Sequence, residues 1–243
     1  MRDYLLDLVE HTYDLGCIDL IKITGTDAST TIDGIADDRS VIVQGKFAKA
    51  NSDFLGTFGM PNLSKLKILL NLAEYKENAK ISLSTMDRNG ETVPVGLHFE
   101  NAAGDFKNDY RFMVKEIIDD KLKAVTFKGA NWDIEFEPTM AAIQRLKMMA
   151  QANSEEANFK VKVENNNLKF YFGDHSTHAG NFVFQTDVAG TIKHEWAYPV
   201  SQIIRILDLT GDKTMKISDA GVAEITVDSG VATYTYLLPA QSK

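Results

Sequence analysis

Residues 198–239 read YPVSQIIRILDLTGDKTMKISDAGVAEITVDSGVATYTYLLP, and this stretch decides the fold. It opens as a short helix. Val200, Ile203, Ile204 and Leu207 fall at i, i+3, i+4 and i+7 and share one face. Ser201, Gln202, Arg205 and Asp208 take the other. Gly211 is placed to stop the helix, because glycine tolerates a left-handed turn. Three alternating strand patterns follow at 214–218, 222–227 and 232–238. Asp219-Ala220-Gly221 and Asp228-Ser229-Gly230 separate them as tight turns. A helix on one antiparallel meander leaves apolar surface uncovered, so the pattern predicts further copies of itself.

Three copies are present. In 58–114, MPNLSKLKILLNLAEY is the helix, with Asn62 as its cap and Leu63, Leu66, Leu70 and Ala73 as its apolar face. Strands follow at 79–85, 92–100 and 108–114, and Asp87-Arg88-Asn89-Gly90 makes a hairpin turn. The copy beginning at Pro138 places Thr139, Ala142, Ile143, Leu146, Met149 and Ala150 on one helical face. Its strands lie at 158–163, 168–173 and 181–188. The first copy carries Leu5, Leu8, Val9 and Thr12 inward, with strands at 17–24, 30–35 and 40–47. Helices starting near residues 3, 62, 139 and 200 pair across two halves at a spacing of roughly 137 residues. The fold class is α+β: two similar domains, each of two helix-plus-antiparallel-strand units with helices on one face of the sheets. Domain one covers 1–114, a connector 115–130, and domain two 131–243. The connector begins charged, and residues 132–136 open domain two as a strand. Asp119–Leu122 as a hairpin turn in one continuous sheet is the alternative.

The 243 residues allow one large or two modest domains, and the 44% that are hydrophobic can build real cores. No run of about 18 apolar residues spans a membrane, and the acidic N-terminal helix is wrong for a signal peptide. A single cysteine, Cys17, excludes an internal disulfide and fits a reducing cytoplasm. A net charge of −8 argues against a generally basic nucleic-acid coat, though not against a local basic face. Catalytic constellations are poor, and no catalytic residue, metal site or cofactor is assigned. Asp174-His175-Ser176-Thr177-His178 has HxxH spacing but offers no third ligand and reads as a solvated loop.

Two segments carry a family resemblance. Phe58-Gly59-Met60-Pro61-Asn62-Leu63-Ser64-Lys65-Leu66-Lys67-Ile68-Leu69 is similar to the segment of DNA sliding clamps where a strand leads into an N-L-x-x-x-K-I-L helix. Ile217-Ser218-Asp219-Ala220-Gly221 and Ala232–Ala240, with its Y-L-x-P ending, resemble the C-terminal clamp strands. The resemblance is to the trimeric clamps, which include phage processivity factors and the proliferating cell nuclear antigen. The lack of a clear strand before the first helix is more like the phage clamps.

The resemblance implies a ring trimer, not an enzyme, that encircles double-stranded DNA without reading sequence and tethers a replicative polymerase. Its helices would turn cations toward phosphates: Lys65, Lys67, Lys76, Arg145, Lys147, Arg205 and Lys213. Asp3, Asp7, Glu10 and Asp14 on the first helix break that pattern. Clamps also take short hydrophobic peptides from polymerase and clamp loader. By position that groove would use Ile117, Ile118, Leu122 and Val125 with Leu238, Pro239 and Ala240. Head-to-tail closure would use the last strands of two units, with Asn108, Tyr110 and Phe112 meeting Phe182, Phe184 and Thr186 of the next subunit. The alternative is a β-rich structural or virion assembly protein that does not bind DNA.

Overall fold

The computed structural model describes residues 1–88, 90–123, 127, 129–174, 176 and 178–241. The chain divides into two units. One holds Met1–Thr126 with Ser229–Tyr234, and the other holds Phe127–Asp228 with Thr235–Lys243.

The first unit runs α1 (Arg2–His11), β1 (Leu20–Gly25), β2 (Thr30–Ile35), β3 (Ile42–Phe47), β4 (Gly56–Pro61), α2 (Leu63–Asn71), β5 (Lys80–Arg88), β6 (Glu91–Glu100), β7 (Lys107–Arg111) and α3 (Lys115–Lys121). Its sheets are antiparallel, ordered β4-β1-β2-β3 and β5-β6-β7. Alternation sends Ile21, Ile23, Ile32 and Val43 inward, where they are fully buried. Helices α1 and α2 pack on each other and bury Leu5, Leu8 and Val9, and Leu63, Leu66, Leu69 and Leu70. Arg2 ties the pair together, because its Nη2 donates to the Leu70 carbonyl at 2.8 Å. That satisfies one of the carbonyls orphaned at the end of α2. Residues Ser229–Tyr234 join this unit: the Ala48 N–H donates to the Val231 carbonyl at 2.9 Å, and the Tyr234 hydroxyl to Asp7 Oδ2 at 2.7 Å.

The second unit runs β8 (Ile134–Phe136), α4 (Met140–Ala152), β9 (Asn158–Glu164), β10 (Asn167–Phe172), β11 (Gly180–Gln185), β12 (Ala197–Pro199), α5 (Val200–Leu207), β13 (Asp212–Ser218), β14 (Val222–Asp228) and β15 (Ala232–Pro239). The first three residues of β15 are those grouped with the first unit. One sheet is ordered β12-β9-β10-β11, and β8, β13, β14 and β15 are neighbours in another. Phe170 stacks on Phe159 and on Phe184, each at 4.3 Å between ring centres, and so joins three adjacent strands. Burying each such ring stabilises by about 1.5–3 kcal/mol. Asn165 and Asn166 both adopt positive φ, which the two-residue turn between β9 and β10 requires.

Both units repeat one order: helix, four strands, helix, three strands. The sequence pattern predicts three strands after every helix. The extra strands are β4, which contains Gly56 and Gly59, and β12, which has only three residues. Thr139, assigned to a helical face, instead caps α4, accepting from the Ala142 N–H at 3.1 Å. Asn62 occupies the cap position of α2 at φ 57° without a side-chain capping bond. Asp19 does that work, its Oδ1 accepting from the Ser64 N–H at 3.1 Å. On α5 the buried residues are Val200, Ile203, Ile206 and Leu207, so Ile206 replaces Ile204 as the inward position. No hairpin turn forms at Asp119–Leu122; helix α3 occupies Lys115–Lys121 instead. Gly59 explains its seat. A Cβ there would lie 2.8 Å from Ile118 Cδ1, so only glycine lets α3 press onto β4.

Candidate nucleic-acid interface

Each unit turns part of its helix pair to solvent. On α2, Lys65 is exposed, while Lys67 Nζ donates to Asp14 Oδ1 at 2.7 Å and lies 5.7 Å from the centre of the Tyr13 ring. The acidic face of α1 is therefore partly spoken for. Asp14, just past that helix, balances Lys67, and Asp7 is turned inward onto Tyr234, its side chain 10% exposed. Asp3 remains exposed. Lys76 is exposed beyond the short 3-10 turn that follows α2.

The second unit repeats the device. On α4, Lys147 pairs with Asp208, which caps α5. Arg145 is exposed, with its guanidinium 5.4 Å from the centre of the Phe182 ring. Arg205 on α5 is exposed. Lys213 is half-buried and donates to the Gly211 carbonyl at 2.7 Å. Burial holds its ammonium below the usual lysine range, against the opposing pull of Asp208 and Asp212. In each unit, one lysine on one helix is thus held by an aspartate at the end of the other. Such exposed pairs are worth about 0–1 kcal/mol, little enough for a phosphate to compete for the ammonium. Apolar Ile68, Met140 and Met148 are also exposed on α2 and α4. The countercharges Asp14 and Asp208 were not assigned from sequence, since Asp14 and Lys67 lie 53 positions apart.

Residues expected at the peptide groove divide by burial. Ile118 and Leu238 are fully buried and serve the cores of their own units. Ile117 is 49% exposed, Pro239 is exposed and Ala240 half-exposed. Leu122 lines a notch with Lys22, Asp33, Ile35 and Val43. Lys22 there donates to Asp119 Oδ1 at 3.1 Å, which holds that carboxyl below the usual carboxylate range. Burial raises the Asp33 carboxyl, partly offset by Lys22. Val125 lies outside the described residues, as does His175 of the HxxH loop. Among the described residues no three His, Cys, Asp or Glu side chains are placed to hold a metal ion, and no helix is long and apolar enough to cross a membrane.

Strands β7 and β11 each lie at a sheet edge. The expected interface side chains mostly point inward. Tyr110, Phe182 and Phe184 are buried, Asn108 donates to the Tyr75 hydroxyl, and Phe112 stacks on Phe58 at 4.3 Å. Thr186 is exposed just past β11. What the edges offer is backbone. The Phe112 N–H donates to the Val95 carbonyl at 2.9 Å, so alternation turns the N–H and C=O groups of Lys107, Asp109 and Arg111 away from β6. On β11, the tight β9–β10 turn sets a ladder in which Phe182 faces β10, and Asn181 and Val183 face outward.

No family model matches the sequence, and no curated protein matches it. Solved structures do. The chain is similar to the proliferating cell nuclear antigen (PCNA) of A. fulgidus, solved with the C-terminal region of FEN-1. The TM-score is 0.68 at 10% identity, over 98% of this chain and 96% of that one. It is also similar to PCNA of Thermococcus kodakaraensis (TM-score 0.67, 14% identity, 99% and 97% covered). A third match is the PCNA2–PCNA3 complex of Sulfolobus tokodaii (0.65, 11%, 100% and 98%). The chain has the two-domain sliding-clamp fold from end to end.

Proposed function

We propose that this chain is a sliding clamp: a homotrimeric ring that encircles duplex DNA and tethers a replicative polymerase without catalysing a reaction. The observation that carries the reading is the match of the whole chain to the clamp fold, with almost nothing left over on either side. The strand edges support closure. In the repeated order of elements, β3 corresponds to β11, and β15 to β7. The edges of β7 and β11 lack an outer partner among the described residues, and open strand edges invite pairing. Joining β7 of one subunit to β11 of the next, head to tail, generates a ring.

Lys65, Lys67, Lys76, Arg145, Lys147 and Arg205 then face the duplex, with Lys213 at the margin. They touch phosphates and read no bases, so the register stays free to slide. Ordinary aspartate partners keep these contacts weak, which suits a protein that must not stop. The notch at Leu122 is the proposed seat for a hydrophobic peptide from polymerase or clamp loader, by analogy with the FEN-1 segment on the archaeal protein. Light scattering tests the assembly. A mass near three times 27.0 kDa with ring-shaped particles supports it, and a monomer at micromolar concentration contradicts it.

A further inference from the structure

The two units differ at one strand. In the second unit β8 lies antiparallel on β13, pairing Ile134 with Ile217, Glu135 with Lys216 and Phe136 with Met215. The Asp133 N–H adds a bond to the Ile217 carbonyl at 3.1 Å. Under that strand Met215 and Ile217 are fully buried. In the first unit β5 takes the place of β13: it follows the second helix and pairs with the middle strand of its three. Ile81 and Leu83 pair there with buried Phe99 and Leu97, as Met215 and Ile217 pair with Ile225 and Ala223. Yet no strand lies on the outer edge of β5 among the described residues, and Ile81 and Leu83 are left half-exposed.

The backbone agrees with the side chains. Val95 bonds toward β7, so Leu97 and Phe99 do too, and the even-numbered residues of β6 serve β5. Ile81 and Leu83 therefore turn their N–H and C=O groups outward. The ladder shifts between Ser84 and Thr85, which limits the straight edge to Lys80–Ser84.

We propose that the Lys80–Ser84 edge is a docking site for a short extended peptide from another polypeptide, added antiparallel with an apolar–polar–apolar triplet. The occupant's chemistry is read from β8, whose Ile-Glu-Phe fills the equivalent edge in the same chain. The donated strand completes the ladder at Ile81 and Leu83, and its two apolar side chains cover the core edge beside Phe99. A second copy of β5 is a poorer occupant. Pairing over the strand's full length sets Lys80 opposite Arg88, and like charges across a ladder repel. The site uses none of the lysines and arginines assigned to the duplex, so its failure would leave the clamp reading intact.

The probe is a labelled peptide of this chain's own Asn131–Glu137 sequence, titrated into the full-length protein by fluorescence anisotropy and by hydrogen exchange. Saturable binding is expected, with slowed exchange confined to residues 80–84. The same peptide methylated on the amide nitrogen corresponding to Asp133 is expected to bind roughly tenfold more weakly, since one ladder bond is gone and the protein is untouched. Leu83→Pro is expected to weaken binding similarly. Equal affinity of the methylated peptide, protection on β13 instead of β5, no saturable binding, or concentration-dependent protection of 80–84 without peptide would each overturn the proposal.

Discussion

Val183→Pro separates subunit closure from folding. The Val183 N–H points away from β10, so in a single subunit it has no strand partner to lose, and proline is tolerated on such an edge. Phe184 is the wrong place for this test, because its ring is buried against Phe170 and its loss would damage the core. In the proposed joint, Val183 donates to β7 of the neighbour. Proline removes that bond, about 0.5–1.5 kcal/mol, and leaves the facing carbonyl unsatisfied at about 1–3 kcal/mol. A loss of about 3 kcal/mol raises the dissociation constant of one joint on the order of 100-fold. A ring holds three equivalent joints, so the variant is expected to sediment at 27.0 kDa at micromolar concentration, with unchanged circular dichroism. A folded variant that keeps the mass of the unsubstituted protein would refute the β7–β11 joint.

Changing Lys67, Arg145, Lys147 and Arg205 together to alanine is expected to preserve subunit mass. It should also flatten the salt dependence of DNA binding by roughly 0.9 log unit for each phosphate contact removed, measured by affinity across a salt series. An unchanged slope would place DNA elsewhere. Asp208→Asn frees Lys147 from its carboxylate and is expected to tighten DNA binding several-fold at low salt, an effect that should vanish in the Asp208→Asn, Lys147→Ala double variant. For Asp33, burial makes the folded pKa higher than the unfolded one. Its ionised form therefore costs stability at neutral pH, and the cost is relieved as pH falls through the folded value. Asp33→Asn is expected to raise Tm at pH 7, with the gain shrinking toward about pH 4. A lower Tm at pH 7 would show that attraction to Lys22 outweighs desolvation.

The helix-and-strands order was legible because period carries it. Helices near 3, 62, 139 and 200 and most strands follow from apolar spacing alone. What escaped had no period to read. Strand β12 is three residues long, and β4, whose period Gly59 interrupts, is legible only through the clamp resemblance of Phe58–Leu69; the role of Gly59 appears only once Ile118 is seen to press on it. In α3 only Ile118 is buried among seven mostly charged residues, so the segment reads as a linker. The cap of α2 comes from Asp19, more than forty positions upstream, and a local scan settles on Asn62 instead. The candidate site suffers the same limit. Helix faces revealed the lysines and arginines, whereas Asp14 and Asp208, which restrain two of them, become neighbours only after folding.

In the proposed ring, weak phosphate contacts leave topology to hold the DNA. A ring of such chains would carry about three times −8 and repel the duplex at long range, with attraction confined to contact distances inside a Debye length of about 8 Å. The direct measurement is retention on nicked circular DNA, after loading, through a high-salt wash, before and after the circle is cut once. The account predicts that protein stays on the circle and leaves when the DNA becomes linear with free ends. Equal retention on circular and linear DNA would contradict it.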